Sequence, residues 1–295
     1  MSWRSEGMNI DTIIPDDHLR AQSIPTGTAH ELLENGARPT TPAGDNLLLD
    51  YVRTVAAGYA AVATATGGRT HTVEGLGLHM ADAGSASPFG NQAHLTRPLA
   101  EHETAALCDE LAHFFGAGDG GAYLLFSPFP TPDLSPHGFG LGGHPPFMVR
   151  PAGGTAPMAG GLQLVKVRTP AVLADFERTI VEAYPAPEVA PFGMHARLFC
   201  DGLLDSAWTL LVGYLDGASV ATAGAFVGER VVAVEAVSTR SEVRGRGYGA
   251  ALTAAAALAA PELPSALVSS DPGRGVYKGL GFLAVCRFTL WVGQR

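Results

Sequence analysis

Residues 231–249 decide the fold, and they read VVAVEAVSTRSEVRGRGYG. The apolar run 231–238 predicts a buried strand, which leads into a loop with glycines at positions 245, 247 and 249. The loop and an alanine-rich helix together occupy residues 243–260. Main-chain amides of small residues can surround an anion, the start of a helix adds partial positive charge, and Arg244 and Arg246 add full charges. The stretch therefore predicts a site for a pyrophosphate.

Three classes of anion-binding loop compete for this stretch. A Walker P-loop is excluded because no Gly-Lys-Ser/Thr sequence follows. The residues Gly245-x-Gly247-x-x-Ala250 formally match the dinucleotide fingerprint G-x-G-x-x-A. However, the first glycine of that fingerprint should follow its strand directly, whereas residues 239–243 intervene here before Arg244. Three hairpin-like strands also precede the loop, which is not the βαβ context of a dinucleotide-binding domain.

The third class of anion-binding loop is indicated by a resemblance to a known family. Arg244-x-x-Gly247-x-Gly249 resembles the signature Arg/Gln-x-x-Gly-x-Gly/Ala of the GNAT superfamily, which wraps the pyrophosphate of coenzyme A. Downstream, residues 276–282 (VYKGLGF) resemble the Tyr-x-x-Leu-Gly-Phe ending of that family. One helix and one strand fit between the two pieces, as the family needs. The resemblance covers residues 162–295.

The resemblance implies a V-shaped cleft between the strand ending at Ser238 and its neighbour at residues 266–269. Pantetheine would lie there, bonded to the backbone of Val237 and Thr239, and Tyr277 would protonate the leaving thiolate. Ser270 stands where the family often has asparagine. The cofactor-binding residues so implied are Val237, Ser238, Thr239, Arg244, Gly245, Arg246, Gly247, Tyr248, Gly249, Ser270 and Tyr277.

The implied reaction is direct transfer of an acetyl group from acetyl-CoA to an amine. A backbone N–H of the 231–238 strand would stabilise the oxyanion. The candidate general base is Glu235, which two-residue alternation would place on the same strand face as Val237 and Thr239. A structural ion pair and a solvated charge at the strand edge are the alternative roles for Glu235.

The second half predicts the order β-α-β-β-β-α-β-α-β, a mixed α/β sheet with helices packed on it. Its strands are predicted at 162–167, 208–215, 218–227, 231–238, 266–269 and 285–292. Its helices are predicted at 170–183, after the glycine loop within 243–260, and at 274–280. Asp216-Gly217 predicts a type I′ hairpin turn. The Gly/Pro-rich stretch 128–161 predicts a domain boundary, giving domains 1–155 and 156–295.

The first half predicts helices at 46–63 and 101–115 and strands at 71–80, 93–96 and 122–126, followed by a Gly/Pro-rich stretch that closes on residues 145–150 (PPFMVR). This order is similar to a degenerate GNAT domain, so the fold class expected is two tandem GNAT-like domains. An unrelated α/β extension is the alternative. Because no Arg-x-x-Gly-x-Gly equivalent occurs here, this half is not expected to bind coenzyme A. Two roles stay open for it, which are shaping the acceptor pocket and forming a homodimer contact.

The amino-acid composition limits the classes of molecule that the protein is expected to bind. The formal net charge of −9 disfavours nucleic acid and anionic membrane, which need clustered Lys and Arg. The three scattered cysteines and the absence of a recognisable signal peptide fit a cytoplasmic protein. The ten histidines show no metal-ligand spacing, so no metal is expected.

The sequence thus predicts an N-acetyltransferase that acts on a primary amine of a small molecule. Two alternatives remain. One is a non-catalytic acyl-CoA sensor or interaction protein, and the other is an acetyltransferase acting on a protein N-terminus or lysine.

Overall fold

The computed structural model describes residues 44–118, 120–184, 188–193 and 198–295. The first 43 residues, which the sequence predicts to be polar and rich in turns without a clear period, lie outside these ranges. The helices are α1 (Gly44–Ala65), α2 (Thr104–Gly116), α3 (Pro170–Ala183), α4 (Tyr248–Ala257) and α5 (Arg274–Gly279). The strands are β1 (Arg69–Val73), β2 (Leu78–Asp82), β3 (Asn91–Leu95), β4 (Tyr123–Ser127), β5 (Gly140–Gly143), β6 (Pro146–Arg150), β7 (Gln163–Lys166), β8 (Trp208–Leu215), β9 (Ala218–Val227), β10 (Val232–Thr239), β11 (Ser265–Val268), β12 (Leu283–Arg287) and β13 (Thr289–Gly293).

The strands form two mixed sheets. The first has the order β1-β2-β3-β4-β13-β5, and the second has the order β12-β6-β11-β10-β9-β8-β7. In each sheet one pair of neighbours is parallel, β3 with β4 and β10 with β11, and the other pairs are antiparallel. The mixed α/β class predicted from the sequence is therefore confirmed.

The two sheets exchange one strand each. Strand β6 comes from the first half of the chain but lies between β11 and β12 of the second sheet. Strand β13, at the other end of the chain, lies between β4 and β5 of the first sheet. Both sheets therefore share one pattern, in which a parallel pair is followed by a strand borrowed from the other half. This shared pattern is what a tandem pair of like domains would show, whereas the division near residue 155 stays a prediction.

Helices cover both faces of the second sheet. On one face, α1 and α3 place Tyr51, Val55 and Phe176 against the strands, because apolar residues recur along each helix at three- and four-residue spacing. On the other face, α4 buries Leu252 and a row of alanines against β9 and β10. The small alanine side chains let α4 approach the sheet closely.

Two predicted strands were wrong in the same way. Residues 71–80 are a hairpin of β1 and β2 interrupted by a 3-10 turn at Glu74–Leu76, where Gly77 has a φ of 58°. Residues 285–292 are two strands, β12 and β13, which belong to different sheets. Alternation of apolar residues does not reveal where a strand changes partner, and β5, made of Gly-Leu-Gly-Gly, carries no apolar pattern to predict it.

The β8–β9 connection was predicted correctly. Strands Trp208–Leu215 and Ala218–Val227 have the predicted bounds, and the two residues between them both have positive φ, 50° at Asp216 and 82° at Gly217. Positive φ at both central positions is the mark of a type I′ turn, whose twist matches that of the flanking strands.

Candidate functional site

A β-bulge shapes the strand that borders the site. Glu235 pairs with Gly224 and Ser238 pairs with Thr222, so β10 advances three residues while β9 advances two. The extra residue leaves Ala236 with a φ of 52°, and its carbonyl accepts a hydrogen bond of 2.8 Å from the Thr222 hydroxyl. A bulge ends regular pairing and redirects the side chains around it.

The bulge corrects one expectation from the sequence. Simple alternation would place Glu235 on the strand face of Val237, but the inserted residue reverses the faces. Glu235 points to the side of α1, where Tyr51 meets it, whereas Val237 packs with the cluster around α4. Thr239 follows Val237 by two residues, so the prediction that all three share a face was wrong.

Beyond the bulge, β10 and β11 separate. Their parallel pairing covers only Val232 with Ser265 and Ala233 with Ala266, although the strands continue to Thr239 and Val268. The unpaired parts leave backbone groups of β10 facing a cleft. An extended ligand chain could add to this edge through main-chain hydrogen bonds.

The glycine loop lies at the open end of the cleft. Gly245 and Gly247 have φ values of 79° and 83°, a region that side chains with a Cβ rarely adopt. The amides of Gly245, Gly247 and Gly249 have no hydrogen-bond partner among the described residues, and α4 starts at Tyr248, between the last two glycines, without a side-chain cap. A Cβ on Gly249 would lie 2.8 Å from the Thr239 hydroxyl oxygen. Free amides, a helix start and crowding that only glycine tolerates fit a bound pyrophosphate.

The two arginines of the loop lie in different places. Arg244 lines the cavity, and it donates hydrogen bonds to the carbonyls of Thr239 at 3.0 Å and Ala183 at 2.8 Å. Arg246 is exposed and does not line the cavity. The side chain of Arg244 thus ties the loop to the end of β10 and to the end of α3.

A single cavity of about 1210 Å³ joins the loop, the cleft and the interior. It brings together every candidate site residue except Arg246, namely Glu235, Val237, Ser238, Thr239, Arg244, Gly245, Gly247, Tyr248, Gly249, Ser270 and Tyr277. Ser270 is exposed, and its hydroxyl accepts a hydrogen bond of 3.2 Å from the amide of Gly273 ahead of α5.

Tyr277 is half-buried on α5, with its ring 6.0 Å from that of Phe282. Burial, and next the nearby Tyr184 and Glu235, raise the pKa of its hydroxyl well above the ordinary value. The phenol therefore keeps its proton at neutral pH, so it is able to donate one.

Glu235 is held by two phenols. It accepts hydrogen bonds from Tyr51 at 2.8 Å and from Tyr59 at 3.4 Å, both on α1. Burial raises the pKa of its carboxyl to about 7, although the two phenols act to lower it. A carboxylate whose pKa lies near the working pH is suited to accept a proton.

Sequence reasoning missed the residues that surround Glu235. Tyr51 and Tyr59 counted only as apolar positions of a helix, and 184 and 176 residues separate them from Glu235. Tyr184, just after α3, donates a hydrogen bond of 2.6 Å to the carbonyl of Val237, and no motif marks it. No sequence signal could have found these tyrosines, because their role depends on long-range packing.

In the first sheet, one loop corresponds to the glycine loop of the second sheet, because it also leads from the first strand of the parallel pair into a helix. A side chain of this protein binds the donors of that loop. The loop connects β3 to α2, and in it the Glu103 carboxylate accepts hydrogen bonds from Arg97 at 2.6 and 2.9 Å and from the amide of Ala100 at 2.9 Å. An internal carboxylate thus occupies the donors that an anionic ligand would need.

Other kinds of site are not evident in the described part of the chain. No group of His, Cys, Asp and Glu there is arranged to hold a metal ion, and no helix there is long and apolar enough to cross a membrane. The three cysteines, Cys108, Cys200 and Cys286, are free.

Comparison with known proteins supports the assignment of the second half. A GCN5-related N-acetyltransferase from Kribbella flavida is 19% identical, with a TM-score of 0.56 over 82% of this chain and 95% of its own. A functionally unknown conserved protein from Staphylococcus epidermidis is 15% identical, with a TM-score of 0.51 over 77% of this chain and 94% of its own. At such identities the likeness concerns the fold alone, and a search of curated proteins finds no match. The model of the acetyltransferase (GNAT) family, whose members generally use acetyl-CoA, matches residues 173–282, and this segment is therefore a GNAT acetyltransferase domain.

Proposed function

We propose that the protein transfers an acetyl group from acetyl-CoA to a primary amine of a small molecule. The observation that carries the proposal is that Glu235, with a carboxyl pKa near 7, and Tyr277, with a retained proton, line one cavity with the glycine loop. A base with a pKa near the working pH and a protonated phenol in one cavity are two groups that amine acylation can use.

The residues of the loop and cleft would hold the donor. The free amides of Gly245, Gly247 and Gly249 would bind the diphosphate. The edge of β10 at Val237 and Thr239, which no strand pairs on the β11 side, would bind the pantetheine arm, and each carbonyl there can accept a second hydrogen bond beside the one from Tyr184 or Arg244. Acetyl-CoA supplies the acetyl thioester. Arg244 lines the same end of the cavity and would add positive charge there.

Two side chains would move the protons. Glu235 would accept the proton that the amine loses when its nitrogen bonds to the carbonyl carbon. Tyr277 would donate a proton to the sulfur as the carbon–sulfur bond breaks. Near the bulge, a β10 amide facing the cleft would stabilise the oxyanion.

The test replaces Tyr277 with phenylalanine. For Tyr277→Phe we expect kcat to fall by about 10²-fold or more, because the leaving sulfur loses its proton donor, while coenzyme A affinity changes little. Release of the free thiol measures turnover, and calorimetric titration with coenzyme A measures affinity. Tyr214→Phe is the matched control, since Tyr214 lies outside the cavity and bonds Asp175 at 2.8 Å.

Two outcomes would contradict the proposal. If the unmodified protein binds acetyl-CoA but acetylates no amine, it is a sensor and not an enzyme. If Tyr277→Phe retains full turnover, the proton to sulfur comes from another group.

A further inference from the structure

The interior end of the cavity is built from rings and aliphatic side chains. Helix α1, β3, β4, α3 and β8 all contribute to it, so both sheets form its wall. Its large apolar members are Phe89, Phe126, Phe176, Ile180, Leu203 and Trp208. Such a wall stabilises a ligand through buried apolar area and ring contacts.

Charged groups are scarce along the described lining of this cavity. Glu235 and Arg244 are the charged side chains among those residues, and Arg244 is bonded to the carbonyls of Thr239 and Ala183. His94 is 3% exposed and stacks on Phe126 at a centroid distance of 5.5 Å. Burial lowers the pKa of its imidazole to about 3, so His94 is neutral at physiological pH.

Two polar side chains of this wall are paired with each other. The amide of Gln92 donates to the Phe89 carbonyl at 2.9 Å, which leaves its oxygen to accept the Nε2 proton of His94 at 3.1 Å. The Nδ1 atom of His94 is then a lone-pair acceptor, which is buried and has no partner among the described residues. Neither side chain brings a positive charge to the wall, and the Glu235 carboxylate repels a carboxylate on the ligand.

From these features we propose that the acceptor is a primary amine carried on an aromatic or similarly apolar body, with no carboxylate and no second cationic group. The inference rests on the proposed function and narrows its substrate class. Among the described lining residues the one cation is Arg244, at the loop end, so a carboxylate in the interior would lose its hydration without gaining a cation there. A second ammonium would lack an anion, because Glu235 is engaged by the reacting amine. An aromatic amine would make apolar contacts with the wall, and its amino group would lie at the base, Glu235.

Matched amines test this inference. Phenethylamine has the proposed chemistry, phenylalanine adds a carboxylate, and spermidine replaces the ring with further cations. We expect kcat/KM for phenethylamine to exceed the values for phenylalanine and spermidine by at least about 100-fold, since an unpaired buried charge costs several kcal/mol. Release of coenzyme A and mass spectrometry of the acetylated product give the rates.

A pair of variants tests whether the wall sets this preference. Phe89 is 51% exposed at the cavity, where its ring lies 5.7 Å from that of Tyr184, so substitution there does not disturb the core. Phe89→Arg places a cation at the wall, and we expect it to improve kcat/KM for phenylalanine at least about tenfold relative to phenethylamine. Phe89→Ala is the matched control, which should weaken phenethylamine without favouring phenylalanine.

The outcomes separate this inference from the proposed function. Preferred acetylation of spermidine or phenylalanine would overturn the inference and leave the acetyltransferase function standing. Calorimetric binding of phenethylamine without any transfer would keep the ligand class and overturn the enzyme. If the protein binds acetyl-CoA but neither binds nor acetylates phenethylamine, the inference is wrong.

Discussion

At the scale of single residues, the chemistry depends on how the protein holds the carboxylate of Glu235. Removing a carboxylate from water favours its neutral form, whereas two phenol donors favour the charged form. Burial is the larger effect, so the pKa of Glu235 rises to about 7. Glu235 could be selected from the sequence through a family resemblance, but the phenols of Tyr51 and Tyr59 could not, since they come from a helix far away in the chain.

The raised pKa of Glu235 predicts how the rate depends on pH. A base acts only when deprotonated, and kcat/KM reports the ionisation of the free protein, so kcat/KM should rise with pH through an apparent pKa near 7. For Glu235→Gln we expect kcat/KM to fall by about 10²–10⁴-fold and the rise near pH 7 to disappear. Initial rates at amine concentrations well below KM, between pH 5.5 and 9, would show both effects.

The control for this prediction is Glu229→Gln, which removes a carboxylate from an exposed turn. This variant should keep both the rate and its rise with pH near 7. If the rate of Glu235→Gln still rises with pH near 7, another group is responsible for that rise.

At the scale of elements, the bulge in β10 was beyond sequence reasoning although the strand itself was predicted. Nothing in the apolar run VVAVEAVS marks the position where one residue is inserted, because Ala233 pairs regularly with β9 whereas Ala236 lies in the bulge. The positive φ of Ala236 is imposed by the pairing with β9, and the hydrogen bond from Thr222 to its carbonyl helps to hold it.

Because of the bulge, replacing Ala236 by valine and by glycine should change the free energy of unfolding by different amounts. Ala236→Val puts a β-branched side chain at a φ of 52°, where it is strained, and should lower the free energy of unfolding by about 1–3 kcal/mol. Ala236→Gly removes that strain but loses a methyl group that packs against the cluster around α3 and β8, so its stability should change by less than about 1 kcal/mol. Urea unfolding compares the two variants, and equal stabilities would show that the strand can relax the bulge.

At the scale of the whole molecule, the sequence predicted two similar halves but not that they trade strands. Short segments such as Pro-Phe-Met-Val-Arg look the same whichever sheet they join, and the choice depends on partners more than 100 residues away. Strand β6 pairs with β11 and β12, and β13 pairs with β4 and β5. Each sheet is therefore incomplete without a strand from the other half.

The end of the exchanged strand β13 is fastened by a buried ion pair. Asp82, which is 2% exposed, accepts hydrogen bonds from Arg295 at 2.7 and 3.0 Å and from Arg69 at 2.9 Å. Burial alone would raise the pKa of Asp82, but the two arginines outweigh it and lower the pKa. Arg295 follows β13, so this pair anchors a strand that arrives from the second sheet.

Removing the anchor should therefore destabilise both halves together. Arg295→Ala leaves a buried carboxylate with one fewer cation, and we expect the free energy of unfolding to fall by about 3–5 kcal/mol. Because each sheet lends a strand to the other, calorimetry should show one transition shifted to lower temperature. Arg230→Ala, which breaks an exposed pair with Asp50, is the control and should shift that transition little. A second transition that keeps the original temperature would mean that one sheet folds independently of the strand that Arg295 anchors.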